Sequence, residues 1–372
     1  MLGIYNGRTA FPERFLCSTR LERVNDQFYC QLFFLSSGCS HDAQGGCTMC
    51  NYGYGKSHTV DYDAMLLDLR EQVRRLPSQL KELSVVPIGS MLDEREVPKE
   101  ILEKTLEILS AVSCEEFTFE TRADTVNAQT LQILSNHIRA DSISIELGVE
   151  SKRAWCLRNC VNKNMSFQTV KVAIDTIHAA NMQVCANVGI GFPFVNERYS
   201  VQSAIDTIRT LFSMKAERVA LFAYNIRPGT LFEWLWKRGL YQCVSLWTVP
   251  EVLSHFSDKE LRRIETAWYR NFYEDHSKIL RMPRTCGDCE PHILSLLDEF
   301  RNYPGQSTLA PILDFSCHCN KEWHDRFQEQ VDQIEWERVE QIYKTMAAGF
   351  QIPADELEKE LAYMKATLAG KE

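Results

Sequence analysis

Leu35-Ser-Ser-Gly-Cys39-Ser-His-Asp-Ala-Gln-Gly-Gly-Cys47-Thr-Met-Cys50-Asn-Tyr-Gly-Tyr-Gly55 is the stretch that decides the fold of this chain. Its three cysteines are spaced C-x7-C-x2-C in a glycine-rich loop that follows directly on an apolar run at 29–35. Four thiolates close the coordination of a cubane [4Fe–4S] cluster, whereas three leave one iron open to a ligand that is not protein. A zinc site that borrows His41 or His58 is the alternative, because zinc accepts mixed Cys/His tetrahedra. A zinc knuckle normally brings a second ligand pair some 12–20 residues on, and His58 stands alone. Tyr52 and Tyr54 trail the last cysteine, where an aromatic shields a cluster or touches an adenine.

Composition bounds the rest. The 372 residues are 45% hydrophobic and 24% charged, which is ordinary for a globular chain long enough for one large domain with an appendage, or for two. No apolar run of about 18 residues predicts a membrane-spanning helix, and the first residues lack the basic-then-apolar order of a secretion signal. Fourteen cysteines spread through such a chain point to metal binding and reduced thiols rather than disulfides, hence to the cytoplasm. The net charge of −9 does not advertise nucleic-acid binding, although local basic clusters occur at 152–153, 227, 237–238, 262–263 and 281–284. A small-molecule or nucleoside substrate fits this balance at least as well as tRNA.

Along the chain, strand and helix patterns alternate. Strands read at 29–35, 82–88, 116–120, 142–149, 183–190 and 218–224. Amphipathic helical stretches lie between them at 62–76, 98–112, 127–137, 167–180 and 200–212. Asp61 or Asp63 can cap the first, Pro98 suits the first turn of the second, and Thr125 or Asn127 can cap the third. Six βα repeats predict a parallel sheet built by right-handed crossovers. Six are too few for an eight-stranded barrel, so the expected fold is α/β, a partial (β/α)6 TIM-like barrel open along one side. Residues 1–28 read as an N-terminal extension, 29–240 as the barrel, and 241–372 as a mostly helical, cysteine-containing region. In that last region, 258–278, 324–346 and the tail from 354 read as charged helices.

Ligands of parallel α/β sheets sit beyond the carboxyl ends of the strands, and the cysteine loop follows the first strand at that end. The open iron of a three-cysteine cluster suits the amino and carboxylate groups of S-adenosylmethionine (SAM). The strand ends are therefore where groups that hold SAM are expected. Gly89 and Ser90 expose backbone and hydroxyl acceptors after the second strand. Glu120 and Arg122 stand two residues apart and share a face on the third, where an ionised pair is costly unless it binds something. Glu150 ends the fourth strand, and Lys163 follows it. Asn187 on the glycine-rich fifth strand and Asn225 and Arg227 after the sixth are candidates for the substrate side.

These strings carry a resemblance. The cysteine loop, the runs at 89–98 and 119–122, Gly148-Val-Glu-Ser151, Asn162-Lys163, the run at 227–236 and Trp247-Thr-Val-Pro-Glu-Val-Leu253 resemble the radical SAM proteins of the archaeosine-synthase subunit family, relatives of the Elongator-type radical SAM enzymes. The likeness spans about 28–255. It implies a radical SAM barrel with the [4Fe–4S] cluster on Cys39, Cys47 and Cys50 and an electron donor such as ferredoxin or flavodoxin. The family's reaction is radical cleavage of a lysine adduct on a 7-deazaguanine of tRNA. The chain departs from that pattern on the substrate side: Glu120-Thr-Arg-Ala-Asp124 replaces Glu-Ser-Arg-Pro-Glu, and 187–194 lacks the usual basic Lys-Pro string. A paralogue acting on a free nucleoside or an amino-acid-derived metabolite fits equally. So does an enzyme that sends an aminocarboxypropyl radical to its substrate, or, outside enzymes, a zinc-binding module.

Cys286-Gly-Asp-Cys289 and Cys317-His-Cys319 form a second set of close pairs about 30 residues apart. Such pairs hold zinc or an auxiliary iron–sulfur cluster, with His292 and His318 in reserve, or form a redox dithiol. Spacing alone does not separate these readings. The other cysteines read as buried structural residues.

Overall fold

The computed structural model describes residues 16–24, 26–52, 60–163, 165–267, 269–270 and 279–369. Tyr54 and His58 lie outside the described residues. The elements that position the pocket are β1 (Cys17–Val24), β2 (Gln27–Phe34), α1 (Tyr62–Arg74), β3 (Leu80–Pro87), α2 (Lys99–Leu109), β4 (Cys114–Thr121), α3 (Ala128–His137), β5 (Ser142–Glu150), α4 (Phe167–Ala179), β6 (Gln183–Ile190), α5 (Glu197–Ser213), β7 (Arg218–Ala223) and β8 (Ile264–Ala267). The eight strands lie in the order β1 to β8 in one sheet. β1 is antiparallel to β2, and every later pair is parallel. The six expected βα units are thus present, as an open barrel, with one extra strand at each edge.

The local chemistry is what the sequence predicts. Asp61 caps α1 by accepting from the Ala64 amide, and Asn127 caps α3 by accepting from Thr130. Pro98 sits one residue ahead of α2. On each strand alternate residues face opposite ways. Leu32 and Phe34 of β2, Leu83 and Val85 of β3 and Phe117 and Phe119 of β4 join the main hydrophobic core. Gln31 and Phe33, Ser84 and Val86, Glu146 and Gly148, and Phe222 and Tyr224 line an interior cavity instead.

One expectation fails. The stretch 258–278 does not begin as one charged helix: four residues are helical at Asp258–Leu261, the chain then enters β8, and 268 and 271–278 lie outside the described residues. β8 pairs with β7 from Val219↔Ile264 to Phe222↔Ala267, so sheet hydrogen bonds outweigh the helical spacing there. Further on, α6 (Glu290–Asn302), α7 (His318–Glu329), α8 (Trp336–Phe350) and α9 (Ala354–Ala369) form the helical region. α7 and α8 divide the predicted helix at 324–346, and α9 is the expected tail helix. Among the described residues no helix is long and apolar enough to cross a membrane.

Candidate functional site: a cysteine-lined pocket at the strand ends

A cavity of about 190 Å³ opens at the carboxyl ends of the strands. Cys39, Cys47 and Cys50 line it together with Gly89, Ser90, Glu120, Arg122, Glu150, Lys163, Asn187 and Arg227. Residues far apart in sequence, from Gln31 to Arg227, therefore meet in one place. Asn225 does not line it. That side chain is buried behind the wall and accepts from Arg227 Nε at 3.4 Å, so it supports Arg227 instead of facing a ligand.

The cysteine loop is held from two sides. On one side stands Glu96, fully buried, whose carboxylate accepts from the Ser40 and Ser90 amides and from Arg122 Nη1, each at 2.5 Å. Arg122 also donates from Nη1 to Cys39 Sγ at 3.2 Å and from Nη2 to Asp93 at 2.8 Å. The expected partnership of Arg122 with Glu120 is therefore corrected. The guanidinium turns to Asp93, Glu96 and Asp124, because β4 ends at Thr121 and the chain bends there into a short turn. Burial works against the Asp93 carboxylate, but hydrogen bonds from Arg95, Ser40 and Arg122 hold it well below the usual carboxylate range. Neither Asp93 nor Glu96 was singled out from the sequence. Their only signal was acidic residues spaced three apart in the β3–α2 loop of an otherwise apolar wall.

On the other side the loop is laced to the segment after β5. Thr48 donates from its amide to the Val161 carbonyl at 2.9 Å and from its hydroxyl to Cys160 at 2.7 Å. His41 Nε2 bonds the Asn162 carbonyl at 2.7 Å, and Asn162 Nδ2 donates to Gly46 at 2.8 Å. That His41 nitrogen is thereby committed away from the cysteines. Asn162 reaches both contacts in a left-handed conformation at the end of a π-helical turn, Leu157–Val161, a local irregularity often found at functional sites.

Charges line the pocket in an ordered way. Register shifts between Gly148 and Glu150, and Glu150 takes a φ of 67°, a left-handed conformation that non-glycine residues rarely hold. Its carboxylate accepts from Lys163 Nζ at 3.2 Å and from the Tyr224 hydroxyl. Tyr224 fits because Gly189 opposite has no side chain: a Cβ there would collide with the tyrosine ring and hydroxyl. Gly89 has a φ of +146°, and a Cβ on it would strike the Glu96 carboxylate, so only glycine fits this turn beside Cys39. Deeper in, burial pushes Glu120 up to about 8, with the neighbouring Glu146 adding to it, and burial pushes Glu146 up to about 7. Asn187 Oδ1 is buried without a hydrogen-bond partner.

Cys286, Cys289, Cys317 and Cys319 also come together, away from this cavity. Among the described residues theirs is the group whose ligand atoms all lie within 4.8 Å of one another, whereas the loop cysteines stand further apart. A second groove of about 740 Å³ is lined by Ile226, the residue before Arg227, and carries Arg281, Arg284, Arg326 and Arg338.

No family model matches the chain. It is 25% identical over 297 residues to archaeosine synthase subunit beta of Methanosarcina acetivorans, covering 78% of this chain and 83% of that one. It is 29% identical over 170 residues to archaeosine synthase subunit beta of Thermococcus kodakarensis, covering 44% of this chain and about half, 51%, of that one. Among solved structures, archaeal Elp3 of Methanocaldococcus infernus superposes with a TM-score of 0.48 at 15% identity, over 64% of this chain and 60% of that one.

Proposed function

We infer that the chain is a radical SAM enzyme in which Cys39, Cys47 and Cys50 hold a [4Fe–4S] cluster and the adjoining strand ends hold SAM. The observation that carries this reading is the convergence of three cysteines of one loop with acceptors and a lysine from β3, β4 and β5 on a single cavity. When bound, the cluster and SAM supply a one-electron cleavage of a carbon–sulfur bond and a carbon radical.

The chain's own residues do the rest. Gly89 keeps the turn beside Cys39 free of a side chain, and the Ser90 hydroxyl and the Glu120 carboxylate offer acceptors to an ammonium group. Lys163 offers positive charge to a carboxylate, with Glu150 and Tyr224 fixing where that charge stands. Arg122 is a positioning residue: it neutralises Asp93 and Glu96 and donates to Cys39, so it holds the loop in place. Phe33, Met49 and Phe222 make the wall apolar, which keeps water and its hydrogens from a radical.

The substrate side follows from Glu146, Asn187 and Arg227. A carboxylate and an unpaired amide oxygen favour a polar substrate that presents N–H or ammonium groups, such as a modified nucleoside or an amino-acid-derived metabolite. The relatives named archaeosine synthase subunit beta support a modified nucleoside, acted on together with a partner subunit, and the family resemblance of the strand-end strings adds tRNA as its carrier. The four arginines along the second groove support the same reading, because Arg side chains gathered on one surface bind phosphate on a chain that is otherwise acidic. The reaction takes its electron from a donor of the ferredoxin or flavodoxin kind, in a reducing compartment such as the cytoplasm.

The test is anaerobic reconstitution with iron and sulfide, followed by dithionite and SAM, with cleavage products resolved by mass. 5′-Deoxyadenosine is expected, and Cys47→Ala should abolish it. Unchanged cleavage in that variant sinks the assignment. Methylthioadenosine in place of deoxyadenosine would mean that an aminocarboxypropyl radical is made and that the roles at the strand ends must be redrawn.

A further inference from the structure

The second cysteine set has a geometry that spacing could not supply. Cys286 Sγ lies 3.4 Å from Cys289 Sγ and 3.5 Å from Cys317 Sγ. Cys319 Sγ lies 3.5 Å from Cys289 Sγ and 3.6 Å from Cys317 Sγ. These are not disulfides, whose sulfurs sit about 2.05 Å apart, and all four cysteines are free thiols. Four thiolates at about 2.3 Å from one ion form a tetrahedron with edges of about 3.8 Å, close to what these sulfurs make. A cubane instead places each thiolate on a different iron at a different corner, which splays the sulfurs much further apart.

We propose that Cys286, Cys289, Cys317 and Cys319 bind one tetrahedral thiophilic divalent ion, zinc, in a closed structural site separate from the radical centre. This inference does not rest on the functional reading above. Three further features support it. Cys289 immediately precedes α6, of 13 residues, and Cys317 immediately precedes α7, of 12 residues, so two helix amino termini bring their positive ends to the thiolates. Trp247 donates from its indole Nε1 to Cys319 Sγ at 3.4 Å, the kind of outer contact that fixes a metal ligand. All four positions of the tetrahedron are filled by protein sulfur, so no site is left for a substrate or an activated water.

The ion would clamp the starts of two helices to each other. Through Trp247, which sits at the amino end of a short helix, Thr248–Leu253, it would also clamp them to the barrel. Cys286, Cys319 and Trp247 all line the arginine-bearing groove, so the clamp sets the shape of that wall. Zinc is favoured over redox-active iron because it satisfies four thiolates with no geometric demand beyond the tetrahedron.

Metal analysis of the anaerobically purified full chain tests this without any activity assay. One zinc per chain is expected, with X-ray absorption at the zinc edge showing four sulfurs at about 2.3 Å. The zinc should persist in a triple variant in which Cys39, Cys47 and Cys50 are alanine, and should fall to background in Cys286→Ser with Cys317→Ser. If the double variant fails to fold, the triple variant alone still decides. Iron–iron scattering or acid-labile sulfide in the triple variant would establish an auxiliary cluster and overturn the proposal. So would four freely titrating thiols in the native, metal-replete chain. A single iron with four sulfurs and no iron–iron scattering would overturn the choice of zinc.

Discussion

Glu116, Glu120 and Glu146 face the inside of the sheet, and burial is the main reason that they are pushed up to about 7, 8 and 7 respectively. Glu116 is only partly relieved by Arg218, which it shares with Glu82 and Glu265. An unfolded glutamate loses its proton near 4.5, so between about pH 4.5 and 8 the folded chain binds protons that the unfolded chain has released. Stability therefore falls as the pH rises across that window, by about 1.4 kcal/mol per pH unit for each proton retained. It is fully present below the unfolded value and lost through the folded one, the reverse of a salt-bridged carboxylate. Urea midpoints of the SAM-free protein should decline from pH 5 to pH 8. Glu120→Gln should flatten that decline, because an amide has no charge to desolvate. A midpoint that rises with pH, or a slope that Glu120→Gln leaves intact, would show that these carboxyls ionise normally.

At the scale of elements, the strongest periodic segments were legible, and the contacts between them were not. β5, β6 and β7 and helices α1 to α5 lie within a few residues of where apolar spacing and caps place them, since those signals are local. β8 is not legible in the sequence because four residues, Ile264-Glu-Thr-Ala267, are too few to show a period of two, and what makes them a strand is β7 beside them. The site was legible in the same uneven way. The cysteine loop announced itself, and Gly89, Lys163 and Arg227 reached the pocket, yet Arg122 took partners that only the β3–α2 loop could supply. Asn196 shows the same limit and gives a test of it. It caps α5 by accepting from the Tyr199 amide at 2.8 Å, which the sequence can suggest. It also donates to the Val331 carbonyl at 3.0 Å and to Glu335 at 2.8 Å, which the sequence cannot. Asn196→Ala should cost about 1–3 kcal/mol, the loss of a cap plus unpaired acceptors, by chemical denaturation. Hydrogen exchange should accelerate at 331–335 as well as at the start of α5. Acceleration confined to the start of α5 would show that the tie to the helical region carries no energy.

At the scale of the molecule, the carboxy-terminal helices brace the cysteine loop by a relay of packed groups. Met364 of α9 is fully buried in a second core with Trp155, Cys156 and Cys160, and Arg158 stacks 3.9 Å over the Tyr363 ring. Tyr343 of α8 donates to the Asn159 carbonyl at 3.2 Å. These contacts fix the π-helical turn Leu157–Val161, whose carbonyls receive both donors of Thr48, the residue after Cys47. A change at α9 should therefore reach the cysteines even though α9 does not line the pocket. Ending the chain at residue 352 leaves every strand of the sheet in place and removes α9 with its support of that turn and its packing against α8. The shortened protein should keep the far-ultraviolet spectrum of the folded chain apart from the helical signal of the 16 residues of α9, while its reconstituted iron is lost to a chelator about tenfold faster, which corresponds to about 1.4 kcal/mol of lost bracing. Exchange at 157–163 should quicken in parallel, because turn and loop are one mechanical unit. Iron loss at the original rate with faster exchange at the turn would break the relay between Cys160 and Thr48, and unchanged rates of both would mean that α9 merely covers the surface.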